Sequence, residues 1–432
     1  MRSLLGRFHR PMSRGLVNNM LTMNNLGDGS TLSLDFTTGV LDSRLTFTRA
    51  STVATYVNSS GYVATATTNE PRFDYSPTNI GEPRGLLVEG ASTNPILYSQ
   101  DFSQATWSKS NATVTAPTTA PDGTTTAYLL TSTTAGGIIS QTHAATGNAT
   151  STYSIYVKQG TAAYCDLYIY DAVAVATRLN VRFTFATKVF TVTAGSNAVY
   201  QELTNGWFRI SATCTALSTT NNIISYLYVG FAVAGTTYYG WGAQLEAGSG
   251  ASSYIPTGAS QVTRNGDSCV MTGTNFSSWF AGATEGVLFA QYEKQRSQSG
   301  NAAHDYCAVG SRYNTGEGLI LYHSITNFYP TAILWPTIGG AVFGGGFPTA
   351  IPSVTKQALK WFAANDVTLY SNGVVGTTGT GSGTVTPAML SFGANSTTGT
   401  EATRDWLNAC IRRVKFYPTA LSDAAIQTLT TP

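Results

Sequence analysis

Charged side chains are scarce in this chain. Asp, Glu, Lys and Arg make up 11% of its 432 residues, against roughly 25% in an average soluble domain. Thr, Ser, Gly, Ala and Asn take their place, a mixture suited to short strands, polar turns and surfaces of hydroxyls and amides. The formal net charge is only +2, which makes nucleic acid a poor partner. No apolar run is long enough to span a membrane. Cysteine is sparse too: Cys165, Cys214, Cys269, Cys307 and Cys410 are scattered, odd in number and form no CxxC. Zinc and thioredoxin-type chemistry are therefore unsupported. The expectation is buried free thiols and folding in a reducing cytoplasm without disulfides.

Catalytic motifs are missing as well. There is no HExxH, GxSxG, Walker-type loop or EF-hand spacing, and the four histidines are isolated. A glycosidase needs two carboxylates at a defined separation. The acids that come nearest, Asp101, Asp166, Glu246, Glu285 and Glu293, are not paired locally and read as turn or surface residues. The triplet Gly266-Asp267-Ser268 matches the nucleophile motif of a lipase/esterase family. The Asp-x-x-His that such an enzyme also needs does not end at His304 or His323. No enzyme activity and no cofactor is expected.

What is present is alternation. Period-2 patterns bounded by Gly, Asn, Asp, Ser and Pro recur from about residue 30 onward, as in an all-β chain. The clearest helix signal is SDAAIQTLT, where Ser422 can cap and Asp423 sits in the first turn. Four segments separate: a basic arm at 1–30, a β module at 31–98, a long run of strands at 99–258 and a second β-rich block at 259–432. The arm carries Arg2, Arg7, Arg10 and Arg14 with no acid, and reads as a docking segment in a larger assembly.

Several phrases, taken in order, carry a family resemblance. TFTRASTVATYVNSSGYV, NEPRFDYSP and PRGLLVEGASTNPILYSQDFS resemble the N-terminal module of tailed-phage head-spike and tail-fibre proteins. APDGTTTA, TYSIYVKQGT, NGWFRISATCTA and YYGWGAQLEAGSGASSYIPT look like the carbohydrate-binding-module type of jelly roll. VTLYSNGVV and IRRVKFYPTALSDAAIQTL are similar to a concanavalin A/laminin-G type sandwich. The resemblance implies tandem β-sandwich domains behind a short N-terminal anchoring arm, in a phage virion protein made in the bacterial cytoplasm. Its partners would be other virion proteins through the N-terminal region, host surface glycans, and two further copies in a homotrimer. Laminin-G-like sandwiches sometimes hold calcium, for which Asp366, Asn372 and Asp405 are conceivable ligands, although their spacing does not demand it.

One feature of the central block asks for a function. YCDLYIY puts Cys165, Leu167 and Ile169 on one face of a strand and Tyr164, Asp166, Tyr168 and Tyr170 on the other. RLNVRFTF leaves Arg178, Asn180 and Arg182 outward, SYLYVGF leaves Tyr226 and Tyr228, and TYSIYV leaves Tyr156. Parity predicts one shared outer face of phenols, amides and ions. Tyrosine joins a flat apolar ring to a hydroxyl at low rotamer cost, which suits a contact surface. Three readings stay open: a glycan-binding groove, a face packed against another subunit or domain, or the ordinary preference of aromatics for strands. Trp107, Trp207 and Trp241 read as packing residues. In the last block Trp279, Trp361 and Trp406 are ambiguous, and Trp335, before a proline in an expected loop, is the exposed-aromatic candidate there. The functional alternatives are an adhesive fibre or spike, a purely structural capsid or collar protein, and a polysaccharide depolymerase.

Overall fold

The computed structural model describes residues 26–143, 150–214, 217–218, 223–229, 233–294, 304–309, 318–324, 330–335, 342–345, 354–362, 366–380, 387–392 and 408–432. The basic arm, with Arg2, Arg7, Arg10 and Arg14, lies outside them, as do Asp405 and Trp406. The architecture is all-β, with short helices at Gly273–Phe280 and Asp423–Thr430. No described helix is long and apolar enough to cross a membrane.

The central block is a two-sheet sandwich. One sheet runs in the order Ser196–Glu202, Trp207–Cys214, Ser151–Gln159, Thr237–Ala247, Thr125–Ser132, Ala112–Thr119. The other runs Val189–Ala194, Ala176–Thr184, Tyr164–Asp171, Ile223–Tyr228, Ile138–His143, Ser108–Ser110. Neighbours in both are antiparallel, as hydrophobic alternation requires of sheets buried on one face. The facing sides meet in one core: Tyr153, Ile155, Ile210 and Leu245 from the first sheet, Leu167, Ile169, Val181, Phe183 and Leu227 from the second. Cys165 and Cys214 sit in that core as free thiols, and burial pushes the Cys214 thiol up to about 12.

A second unit, a 15-stranded sheet, draws its strands from both the 31–98 segment and the C-terminal block. Leu32–Asp35 pairs with Ala409–Tyr417, so that Leu32 faces Phe416 and Leu34 faces Val414. Pro83–Val88 lies along the same C-terminal strand, and Thr46–Thr48 pairs with Ser268–Thr272. This differs from the expected division at 98 and 259. The 31–98 segment supplies strands and core residues (Leu32, Leu34, Phe36, Leu86, Val88) to the same interior as Leu288, Leu359, Ile411 and Phe416. The jelly roll is thus an insertion. Its two connections run side by side, with Ser92–Asn94 pairing antiparallel with Val262–Arg264.

An ionic cluster lies beside that stalk. Arg72 bonds Glu89 at 2.7 Å and also Asp267, Arg49 bonds Asp267 at 3.0 Å, and Arg264 bonds Glu89 at 2.7 Å; all five side chains are buried. Ser253 of the insert donates to Glu89 through both its amide and its hydroxyl. Breaking one member of such a pair strands a charge away from water, at about 3–5 kcal/mol. Asp267 is therefore a structural anion. It accepts from two guanidiniums and the Glu89 amide, and Ser268 belongs to a strand, so the Gly-Asp-Ser triplet is not a nucleophile turn.

Candidate functional site: a tyrosine-lined sheet face

Register decides which outer residues meet. Across the two central strands Asp166 stands opposite Arg182 and Tyr168 opposite Asn180. On the other side Tyr168 stands opposite Tyr226, and Asp166 opposite Tyr228. Side chains directly opposite in an antiparallel pair lie close enough to interact. The core-side neighbours Cys165, Leu167, Ile169, Val181, Phe183 and Leu227 are buried, whereas Tyr164, Tyr168, Tyr170, Asn180, Arg182, Tyr226 and Tyr228 are half-buried. Strict alternation thus produces a single aromatic face on the outside of the sandwich.

Tyr168 is its centre. Its ring meets those of Tyr226 and Tyr228 edge-on, with centroids 5.5 and 5.6 Å away, while Tyr226 and Tyr228 run nearly parallel at 6.0 Å. Edge-to-face pairs contribute about 0.5–1.5 kcal/mol beyond their burial, so the three rings hold each other in place. The Tyr168 hydroxyl bonds the Thr177 hydroxyl at 2.5 Å. The hydroxyls of Tyr164, Tyr170 and Tyr226 and the amide of Asn180 have no partner among the described residues. Burial, and then the neighbouring phenols, raise the pKa of Tyr226 and Tyr228 above the usual tyrosine value, so both are neutral donors at physiological pH.

The polar end of the face is a charge pair. Arg182 grips Asp166 with two 2.8 Å bonds, from Nε and Nη2, and its guanidinium carbon lies 3.7 Å from the centre of the Tyr164 ring. The Asp166 bonds are the main reason its pKa rises. A two-pronged guanidinium–carboxylate contact fixes geometry as well as charge, and the stacked ring stiffens it further. The result is a cluster of edge-packed rings next to a fixed, neutralised ion pair. Such a surface offers C–H stacking and hydrogen bonds to a polyhydroxylated ligand without attracting ions of either sign.

Two residues expected on this face are elsewhere. The register shifts between Ile169 and Tyr170, so that Tyr170 faces Thr177 instead of Arg178. Thr177 bonds Tyr168 on the outer side, and Arg178 turns to the buried Asp171, 3.4 Å away. Tyr156 belongs to the opposing sheet. It points outward on the far side of the sandwich, under Trp241 and Tyr254 at centroid distances of 5.2 and 6.0 Å. Three strands share the tyrosine face, not four. Trp335 ends a strand paired with Gly318 and is not in a loop.

No family model matches the sequence, and no curated protein matches it. Solved structures do. The CBM40 of Ruminococcus gnavus IT-sialidase, bound to α2,6-sialyllactose, aligns at 12% identity over 36% of this chain and 87% of its own, with a TM-score of 0.27. A leech intramolecular trans-sialidase aligns at 16% identity over 36% of this chain and 24% of its own, with a TM-score of 0.26. The receptor-binding domain of botulinum neurotoxin C/D mosaic serotype aligns at 14% identity over 38% and 40%, with a TM-score of 0.28.

The remaining sequence candidates are structural. Trp107, Trp207, Trp241, Trp279 and Trp361 are all buried; the Trp241 indole donates to Thr126 and the Trp107 indole to Tyr98. Glu246, expected at a surface or turn, is buried and accepts from Ser92, Gln244 and Ser252. Glu293 bonds Arg84. Asn372 accepts from the Lys356 amide inside a turn. Among the described residues no cluster of three His, Cys, Asp or Glu could hold a metal. Sequence reasoning missed the ionic cluster. Its members Arg72, Glu89 and Asp267 do lie in quoted phrases, NEPRFDYSP, PRGLLVEG and GDS, but nothing in a linear pattern shows that they meet.

Proposed function

We propose that this protein is an adhesive virion component of a tailed phage that binds host-surface glycans on the tyrosine face of its inserted jelly roll. The observation that carries the reading is the convergence of Tyr164, Tyr168, Tyr226 and Tyr228 with Asn180 and the Arg182–Asp166 pair on one outward sheet surface. Rings supply stacking, and the free hydroxyls and amide supply hydrogen bonds. An open face of this kind binds weakly at each copy. A homotrimer and many copies on one particle would raise avidity by multivalency. The basic arm and the N-terminal segment would dock the chain onto the particle.

A glycan array probed with the full chain displayed on beads tests this directly. Binding of a defined glycan set, lost in Tyr168→Ala, is the expected outcome. No binding at high valency, with assembly intact, would instead assign the face to packing against another virion protein. Release of reducing ends from host polysaccharide would overturn the non-enzymatic reading.

A further inference from the structure

A second surface has the features of a ligand site, and it does not depend on the tyrosine face. A cleft of about 440 Å³ opens on the other side of the jelly roll, between the outer face of the opposing sheet, the 31–98 segment and the 249–254 loop. That volume lies within the ~300–1,000 Å³ of small-ligand sites. Ser211 lines it. This residue is only 6% exposed, yet its hydroxyl has no hydrogen-bond partner among the described residues. The Nε of Arg209, another residue of this wall, is buried without a partner among the described residues; buried polar groups are nearly always paired, so the wall offers groups that a ligand would satisfy. Gln201 and Tyr56 line the same space, and the side-chain amide of one and the hydroxyl of the other have no partner among the described residues.

The remaining wall defines the chemistry. Arg209 lies 5.2 Å over the Tyr156 ring and is held in place by bonds to Ser252 and Ser154. Asp74 accepts from the Val57 amide, from Arg84 and weakly from the Cys410 thiol, which leaves part of its acceptor capacity unused. Two carboxylates (Asp74, Glu89) and two guanidiniums (Arg84, Arg209) line the cleft, so its formal charge cancels. A hydroxyl, an amide and a phenol that each donate and accept, set among ring edges without net charge, suit a ligand of the same kind.

We propose that this cleft binds a neutral saccharide of one or two rings, hydrogen-bonded by Ser211, Gln201, Tyr56 and Asp74. The site lies on the far side of the jelly roll from the tyrosine face, so each chain would contact glycan at two independent places. The test is saturation-transfer NMR on the full chain with methyl glycosides of glucose, galactose and N-acetylglucosamine. Glucuronate and inorganic phosphate serve as charged comparators.

The expected result is transfer to at least one neutral glycoside, weakened tenfold or more by Gln201→Ala. Val199→Trp, which fills the mouth at a residue 57% exposed in the native fold, should do the same without touching the core. No transfer to any neutral glycoside, tighter binding of glucuronate or phosphate, or unchanged binding in both variants would overturn it. Failure of the tyrosine-face reading would appear separately, as array binding indifferent to Tyr168→Ala, and would leave the cleft result standing.

Discussion

Arg182 and Asp166 face each other across the two central strands of the tyrosine face, joined by paired 2.8 Å bonds. The carboxylate is nearly buried while the guanidinium side chain is 37% exposed, so solvent screens part of the attraction. Removing the arginine leaves the less accessible partner unpaired. Arg182→Ala is expected to destabilise the jelly roll by about 1–3 kcal/mol, read as a lower urea midpoint at constant slope. Arg182→Lys should recover only part of it, because an ammonium cannot supply two parallel bonds.

The close approach that seats the N-terminal segment on the C-terminal strand is at Gly85. Its φ is +103°, and a Cβ there would lie 2.1 Å from the Ile411 carbonyl oxygen. Gly85→Ala should therefore cost several kcal/mol, roughly 2–5, from strain plus overpacking. Gly81, with φ +83° and nothing within 4 Å, is the comparison: Gly81→Ala should cost only about 1 kcal/mol. Equal unfolding midpoints for the two variants would contradict the pairing described.

Val175 holds φ +51° in an exposed turn, with 75% of its surface accessible. A β-branched residue is strained in that conformation, whereas asparagine tolerates it. Val175→Asn is expected to stabilise the protein by about 0.5–1 kcal/mol, measured by thermal or urea unfolding.

The ionic cluster at the stalk sets an acid limit. Burial pushes the Glu89 carboxyl up, but Arg264, Arg72 and the Ser253 bonds outweigh it and hold the group well below the usual carboxylate range. A carboxyl depressed in the folded state contributes its full stability above its unfolded pKa, about 4.3, and loses it as pH falls toward the folded value. Asp74 has the opposite sign. Burial raises it despite Arg84, so its earlier protonation offsets part of the loss. The urea midpoint should hold between about pH 7 and 5 and fall below about pH 4.5. A flat or rising midpoint there would contradict the cluster's role.

Much of this was legible in the chain, for a local reason. Alternation is a nearest-neighbour property, so the outward parity of Tyr164, Tyr168, Tyr226 and Tyr228 could be read directly from YCDLYIY and SYLYVGF. The terminal helix could be read the same way, and Ser422 does cap it by accepting from the Ala425 amide. Arg178 failed because a single register shift cancels parity beyond it. Tyr156 failed because alternation does not reveal to which sheet a strand belongs. The pairing of Leu32 with Phe416 spans nearly the whole sequence, and no short-range pattern encodes it.

The most direct test of the adhesive reading compares the native chain with a Tyr168→Ala/Tyr226→Ala double variant for binding to the glycan the array selects, after unfolding curves show both are folded. Loss of at least tenfold in affinity with the fold intact is the expected result. Undiminished binding by the folded double variant would contradict it.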